Sequence, residues 1–380
     1  MDYYKKSLEL HKKKKGKLEI KTKAPLRNKD DLSIAYTPGV AEPCRKIFKN
    51  SSDVYQYTIK GNSVAVVTNG TAVLGLGNIG PKAALPVMEG KCLLFKEFAN
   101  IDAYPICLDS QDNQEIIKAI KMIAPGFGGI NLEDIKAPDC FVIEEQLKKE
   151  LDIPVFHDDQ HGTAIVILAA LINALKVVNK KINQIKIIVN GAGAAGIATT
   201  KLLLSQGAKK IILIDRQGAI YKNRTGLNPA KKEISQVTNL GKLKGRIEDV
   251  IQESDVFIGV SAPKVLRKEW VKMMDKKAIV FAMANPVPEI MPQEAKRAGA
   301  AIVATGRSDF KNQINNVLAF PGIFRGLLDS RAKQVTEKMK LRTAQTLASL
   351  VKKPTPDKII PAVFEKNIAQ KIASSIKRVK

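Results

Sequence analysis

Ile185-Lys186-Ile187-Ile188-Val189-Asn190-Gly191-Ala192-Gly193-Ala194-Ala195-Gly196 is the stretch that decides the fold of this 380-residue chain. The apolar, β-branched run predicts a buried strand over 185–189. The glycines predict a tight turn into a helix over 197–205. A second strand is predicted over 211–214, ending at Asp215. In that setting the glycines let the backbone approach a pyrophosphate at a helix N-terminus, and Asp215 can bond a ribose 2′-hydroxyl. Gly191, Gly193, Ala194, Ala195, Gly196, Asp215 and Arg216 are therefore candidate coenzyme residues. Asp215 favours NAD because a carboxylate repels a 2′-phosphate, whereas Arg216 beside it admits NADP, and both coenzymes stay open.

Downstream, short β-type runs over 256–260, 278–282 and 301–304 are separated by helix-length segments. Strands alternating with helices predict a doubly wound, parallel, Rossmann-type sheet. Past Phe320-Pro321-Gly322 the chain reads as helical, breaks at Pro354 and Pro356, and ends in a helix. Upstream, strands are expected over 63–68, 92–95, 103–108 and 153–156, with helices over 114–123, 141–150 and 163–178. Asn69-Gly70 reads as a hairpin-type turn. The division expected is an N-terminal α/β catalytic domain over 1–158, a dinucleotide-binding domain over 159–330 and a helical tail over 331–380.

A second glycine motif, Gly75-Leu76-Gly77-Asn78-Ile79-Gly80, has Glu97 at a spacing suited to a ribose acid. Its upstream strand is interrupted by Asn69-Gly70, so it reads poorly as a coenzyme turn. Two acidic clusters carry different chemistry. Asn131-Leu132-Glu133-Asp134-Ile135 and His157-Asp158-Asp159-Gln160-His161-Gly162-Thr163 each place adjacent carboxylates at the edge of an apolar run. Helix capping accounts for most such pairs. Brought together, however, these carboxylates stay ionised only beside a cation, and all-oxygen ligands select Mg²⁺ or Mn²⁺. His157 and His161 share an H-x-x-x-H spacing, but Pro154 and Gly162 flank them closely, which speaks against a long zinc-binding helix.

Composition bounds the alternatives. The formal charge is +25, from 62 Lys and Arg against 37 Asp and Glu, and only 12 of the basic residues are Arg. Nucleic-acid surfaces lean on Arg interleaved with aromatics, and no such stretch occurs, so no specific nucleic-acid partner is expected. The apolar stretch over 164–175 is too short to span a bilayer, and no membrane association is expected. Cys44, Cys92, Cys107 and Cys140 are scattered, as expected of a reduced, cytoplasmic protein.

Several strings, in order, resemble the malic enzymes. These are Tyr36-Thr37-Pro38-Gly39-Val40, the Gly75–Gly80 motif with Pro86-Val87-Met88-Glu89-Gly90-Lys91, the two acidic clusters, and Gly191–Gly196. Ala284-Asn285-Pro286 and Asn315-Asn316-Val317 leading into Phe320-Pro321-Gly322 complete the set. The resemblance is to the short bacterial form, without the phosphotransacetylase-like extension. It implies metal-dependent oxidative decarboxylation of malate to pyruvate and CO₂ with NAD or NADP, in a homodimer.

By position, the resemblance implies Glu133, Asp134 and Asp159 as metal ligands, Lys91 as the base and Tyr36 as the acid that protonates C3. Lys91, Asn285 and Asn316 would bind substrate, Asn285 also touches coenzyme, and Asp158 orients Lys91 or a ligand. Ala72 stands where animal-type relatives carry a carboxylate-binding Arg, leaving Lys91, Arg325 or the asparagines to take that task. Asn69 and Asn78 stand where many relatives have Asp. The alternative readings are a related 2-hydroxy acid or amino acid dehydrogenase without decarboxylation, and a basic nucleic-acid-binding protein.

Overall fold

The computed structural model describes residues 2–73 and 75–379. Two sheets organise them. The first runs β2(Asp102–Cys107)-β1(Ser63–Thr68)-β3(Gly129–Leu132)-β4(Val155–His157), and every pairing in it is parallel. The second runs β10(Ile302–Thr305)-β9(Ile279–Ala282)-β8(Val256–Gly259)-β5(Lys186–Asn190)-β6(Lys210–Asp215)-β7(Gly218–Ala219), parallel except for the short β7. The expected α/β class with a doubly wound, Rossmann-type sheet is present.

The helix Asp158–Val178 lies at the core. Its apolar residues face every direction, the pattern of a helix enclosed by protein, and Ala164 through Leu171 are all buried. It is long and apolar enough to cross a membrane, but most of it is packed inside the protein, and it starts at the second acidic cluster. It packs on the helix Ala194–Ser205 of the second sheet and on Glu337–Leu350 of the tail. Asn173 fixes the latter contact, its side-chain amide donating to the carbonyls of Ala348 at 2.8 Å and Ile359 at 2.9 Å.

Two expectations are corrected. Residues 92–95 are not a strand but the middle of the helix Gly80–Ala99. Ala84, Met88, Lys91, Cys92, Phe95 and Ala99 are its buried residues, recurring at three- and four-residue spacing along one face, so the short run Cys92-Leu93-Leu94-Phe95 is one turn of a longer amphipathic pattern. Asn69-Gly70 makes no hairpin, because β1 pairs in parallel with both neighbours. Instead the Asn69 side chain accepts from the Thr71 amide and hydroxyl, an Asx turn that redirects the chain into the Gly75–Gly80 loop.

Asn173→Ala should destabilise the protein by about 2–4 kcal/mol, since two buried carbonyls lose their donor. A lowered urea midpoint with an unchanged slope is the expected reading.

Candidate active site

Register brings the two acidic clusters together. Strands β3 and β4 are parallel neighbours, with Leu132 opposite His157, so Glu133-Asp134 and Asp158-Asp159 leave adjacent strand ends side by side. Candidate ligand oxygens of Glu133, Asp134 and Asp159 lie within 4.8 Å of one another. Asp134 adopts a left-handed φ of 53°, unusual for a residue other than glycine, and its amide donates to Asp159 Oδ2 at 2.8 Å.

Lys91 reaches this cluster from the helix Gly80–Ala99. Its Nζ lies 2.7 Å from Asp158 Oδ2 and 2.8 Å from Glu133 Oε1, with all three side chains buried. It also sits 4.3 Å from the centre of the Phe320 ring. That ring is held edge-on against Phe95 at 4.7 Å, which fixes the face it presents to the ammonium. Asn131 donates to the remaining Glu133 oxygen at 2.9 Å.

The electrostatics follow from this crowding. At an effective dielectric near 20, two carboxylates this close repel by about 3 kcal/mol or more, so the cluster rivals the whole stability of a domain unless cations oppose it. Burial raises Glu133 to about 7 despite the neighbouring ammonium, and Asp159 adds repulsion. Burial likewise raises Asp158 to about 6, against the pull of Lys91. Asp159 is raised to about 6 by desolvation and by Asp158. Burial alone would lower Lys91, but Asp158, Glu133 and Asp159 outweigh it and hold the ammonium above its ordinary value. One ammonium thus leaves the carboxylates under-neutralised, and a hard divalent ion is the group this donor set fits.

The remaining expected residues fall in two places. Asn316 stands at the start of a 3₁₀ turn beside Gly162 and favours the charged form of Asp158. Asn285 follows β9, and its carbonyl meets the Gly75 backbone so closely that a Cβ there would lie 2.5 Å away. The Gly75–Gly80 loop therefore carries no coenzyme-type turn from strand to helix; it meets the loop that carries Asn285 and then enters the helix Gly80–Ala99.

The other glycine turn fronts a cleft of ≈820 Å³ bounded by Gly191, Gly193, Asp215, Arg216, Ser261 and Trp270, among others. Gly191 has a φ of 119°, and a Cβ on Gly196 would lie 1.7 Å from the Gly191 carbonyl, so neither position accepts a side chain. Gly193 caps the helix Ala194–Ser205, opening the N-terminus of that helix to the cleft.

Arg325 is corrected as a substrate-carboxylate candidate. It pairs with Asp329 and with Asn62, which precedes β1, at the sheet edge opposite the carboxylates. Tyr36 is not joined to Lys91 either. It caps the helix Lys29–Ala35 and is 67% exposed, within an arm whose helices Tyr3–Lys14, Lys29–Ala35 and Ala41–Lys49 bury nothing. The arm is tied down at two places: Lys17 donates through its amide to Glu89 at 2.9 Å and through Nζ to the Pro86 carbonyl at 2.8 Å, on the helix that carries Lys91, and Lys23 pairs with Asp102 at 3.3 Å at the start of β2.

Sequence reasoning missed several residues. Phe320 and Asn131 support Lys91 and Glu133. Glu289, fully buried, accepts from the amides of Ser261 and Ala284 and so fixes the loops after β8 and β9 along the cleft. Arg224 and Lys231 both grip Asp215. Asn131 and Phe320 lie in strings the sequence does display, but neither string shows what these side chains hold.

The profile of the malic enzyme NAD-binding domain matches residues 160–380, and that of the malic enzyme N-terminal domain matches residues 15–118. The chain belongs to the malic enzyme family. It is 57% identical over 373 residues to the bifunctional malic/malolactic enzyme of Bacillus subtilis, covering 97% of this chain and 91% of that one. It is also 57% identical over 363 residues to the NAD-dependent malic enzyme of Geobacillus stearothermophilus, covering 95% and 76%. The crystal structure of the NAD-dependent malic enzyme of Thermotoga maritima superposes with a TM-score of 0.95 at 48% identity, covering 98% of this chain and 99% of that one.

Carboxyl groups must lose their protons to bind metal. With Glu133 near 7 and Asp158 and Asp159 near 6, Mn²⁺ affinity measured by calorimetry should rise from about pH 6 to about pH 8. Glu133→Gln and Asp159→Asn should each weaken it by more than the roughly 10–100-fold typical of an outer-shell partner.

Proposed function

We propose that the chain oxidatively decarboxylates malate to pyruvate and CO₂, reducing NAD or NADP. The observation that carries this is Lys91 buried between Asp158 and Glu133, in the same cluster as the carboxylates suited to a divalent ion. Glu133, Asp134 and Asp159 would hold Mg²⁺ or Mn²⁺. When bound, the ion supplies Lewis-acid stabilisation of the negative charge that develops as CO₂ leaves.

The chain's own groups do the rest. Lys91 accepts the C2 hydroxyl proton as the C2 hydride passes to the nicotinamide, and Asp158 keeps the amine aimed. Burial favours the neutral amine once the carboxylate charge around it is neutralised. The β-keto acid then loses its C4 carboxylate, and Tyr36 returns a proton to C3. Asn285 and Asn316 orient substrate and coenzyme across the cleft. Stoichiometric CO₂ release separates this reaction from simple dehydrogenation.

The assembly proposed is a homodimer in which the exposed arm of one copy lies on the other. Leu26, Leu32, Ile34, Val40 and Phe48 leave the arm's apolar side chains in solvent in a single chain. Tyr36 stands exposed on the same arm, and in this assembly it would serve the partner's site. The free cysteines fit a reducing, cytoplasmic setting.

Lys91→Ala should lower kcat by about 10²–10⁴-fold and remove the first-turnover burst of reduced nicotinamide. Tyr36→Phe should keep the burst and slow steady turnover. Co-expressed in equal amounts, the two variants should regain about a quarter of wild-type activity, since half the dimers carry one intact site. No recovery on co-expression would place both residues in one chain's site, and chelator-resistant turnover would remove the metal.

A further inference from the structure

A second cavity opens where helices of the two sheets and the tail meet. It measures ≈500 Å³, within the roughly 300–1,000 Å³ of small-molecule sites. Its walls come from the helices Asp139–Glu150, Asp158–Val178, Ala194–Ser205, Pro229–Ser235 and Glu337–Leu350. Among the described residues it shares no lining with the coenzyme cleft or with the carboxylate cluster.

Two lysines dominate its polar part. Lys340 is buried, and its Nζ donates to Glu337 at 2.6 Å, an acid whose side chain is 58% exposed. Lys148 Nζ lies 2.6 Å from Glu144 Oε1 and 3.5 Å from His161 Nε2. An ammonium carries three donors, so each lysine keeps capacity to spare. Burial pushes Lys340 below its ordinary value against the pull of Glu337, and the charge of Lys148 adds to the push. The buried acceptor, in contrast, is spent. Glu144 takes the His157 amide at 3.1 Å and the Gln160 side-chain amide at 3.2 Å, and both its oxygens lie 2.9 Å from His161 Nε2. Glu145 and Glu233 stand exposed and paired with Lys149 and Lys201. Phe141, Val142, Ile197 and Leu202 supply apolar wall. Spare donors, a spent acceptor and apolar sides fit a molecule with an anionic head and an apolar body.

We propose that this cavity binds a small amphipathic carboxylate, its head on Lys340 and Lys148 and its body against Phe141 and Leu202, and that occupancy reaches the first turn of the core helix through Glu144. A carboxylate drawn to Lys148 competes with Glu144 for that ammonium. Glu144 in turn holds the His157 amide and the Gln160 side chain, on either side of Asp158 and Asp159. The cavity is thus an effector site set behind the carboxylates and apart from them.

Titration calorimetry on the intact protein with octanoate, and with octanol as its uncharged counterpart, reads the site without turnover. Octanoate should bind at least about tenfold more tightly, because only its head pairs with the ammoniums. Lys340→Met keeps a buried stem, removes the charge and should weaken octanoate at least about tenfold. Val142 is 48% exposed, so Val142→Trp can fill the cavity from its outer side, and it should abolish binding. Saturating octanoate should shift the KM for malate of the unsubstituted protein at least about fivefold and leave that of Val142→Trp unmoved. This last arm rests on the proposed reaction, whereas the calorimetry does not. Octanol binding as tightly as octanoate, or octanoate affinity unmoved in both variants, overturns the site. Octanoate binding that leaves the KM unmoved overturns the link through Glu144.

Discussion

A buried ammonium surrounded by more carboxylates than it can neutralise is the constraint on which this site depends. Lys91 is drawn in by Asp158 and Glu133, and removing it would leave unpaired charges in a dry cluster, a far larger penalty than an exposed ion pair carries. The cluster is therefore not an arrangement that folding would select for stability. Its residual negative charge defines a place for a hard cation, and the aromatic packing of Phe320 on Phe95 keeps the lysine from retreating to solvent.

Charge is managed in opposite senses at the strand ends of the two sheets. Around Glu133 the acids outnumber the bases. Around Asp215 the bases outnumber the acids, and burial of that carboxyl is outweighed by its Arg224 and Lys231 partners, which hold it down to about 2. A +25 chain can present both because the surplus Lys residues are spread along it. The local sign is set by a few residues at strand ends, which is where open parallel sheets gather their ligands.

What the sequence made legible was whatever is locally dictated. Gly191 and Gly196 could be read because sterics leave no alternative there, and the two acidic strings could be read because adjacent carboxylates at strand ends have few uses. What stayed hidden was long-range. Arg224 and Lys231 lie 9 and 16 residues beyond the acid they occupy, so no motif displays Asp215 as gripped. Cys92–Phe95 misled because four apolar residues fit a strand and a helix turn equally, and only the spacing from Met88 to Ala99 decides. Asn69-Gly70 has a hairpin's composition, but pairing on both sides of β1 overrides it. Tyr36 could be aligned by motif, yet nothing local reveals that it stands exposed on an arm whose helices bury no residue.

The helix Asp158–Val178 gives the molecule a lever. Its first turn supplies Asp158 and Asp159, while its body packs against Ala194–Ser205, the helix that follows the dinucleotide turn. Glu133 and Asp134 follow the neighbouring strand of that same first sheet, whose β4 runs straight into this helix. The helix is therefore a strut from the carboxylate cluster to the dinucleotide turn, and a substitution that shifts its axis would be felt at both.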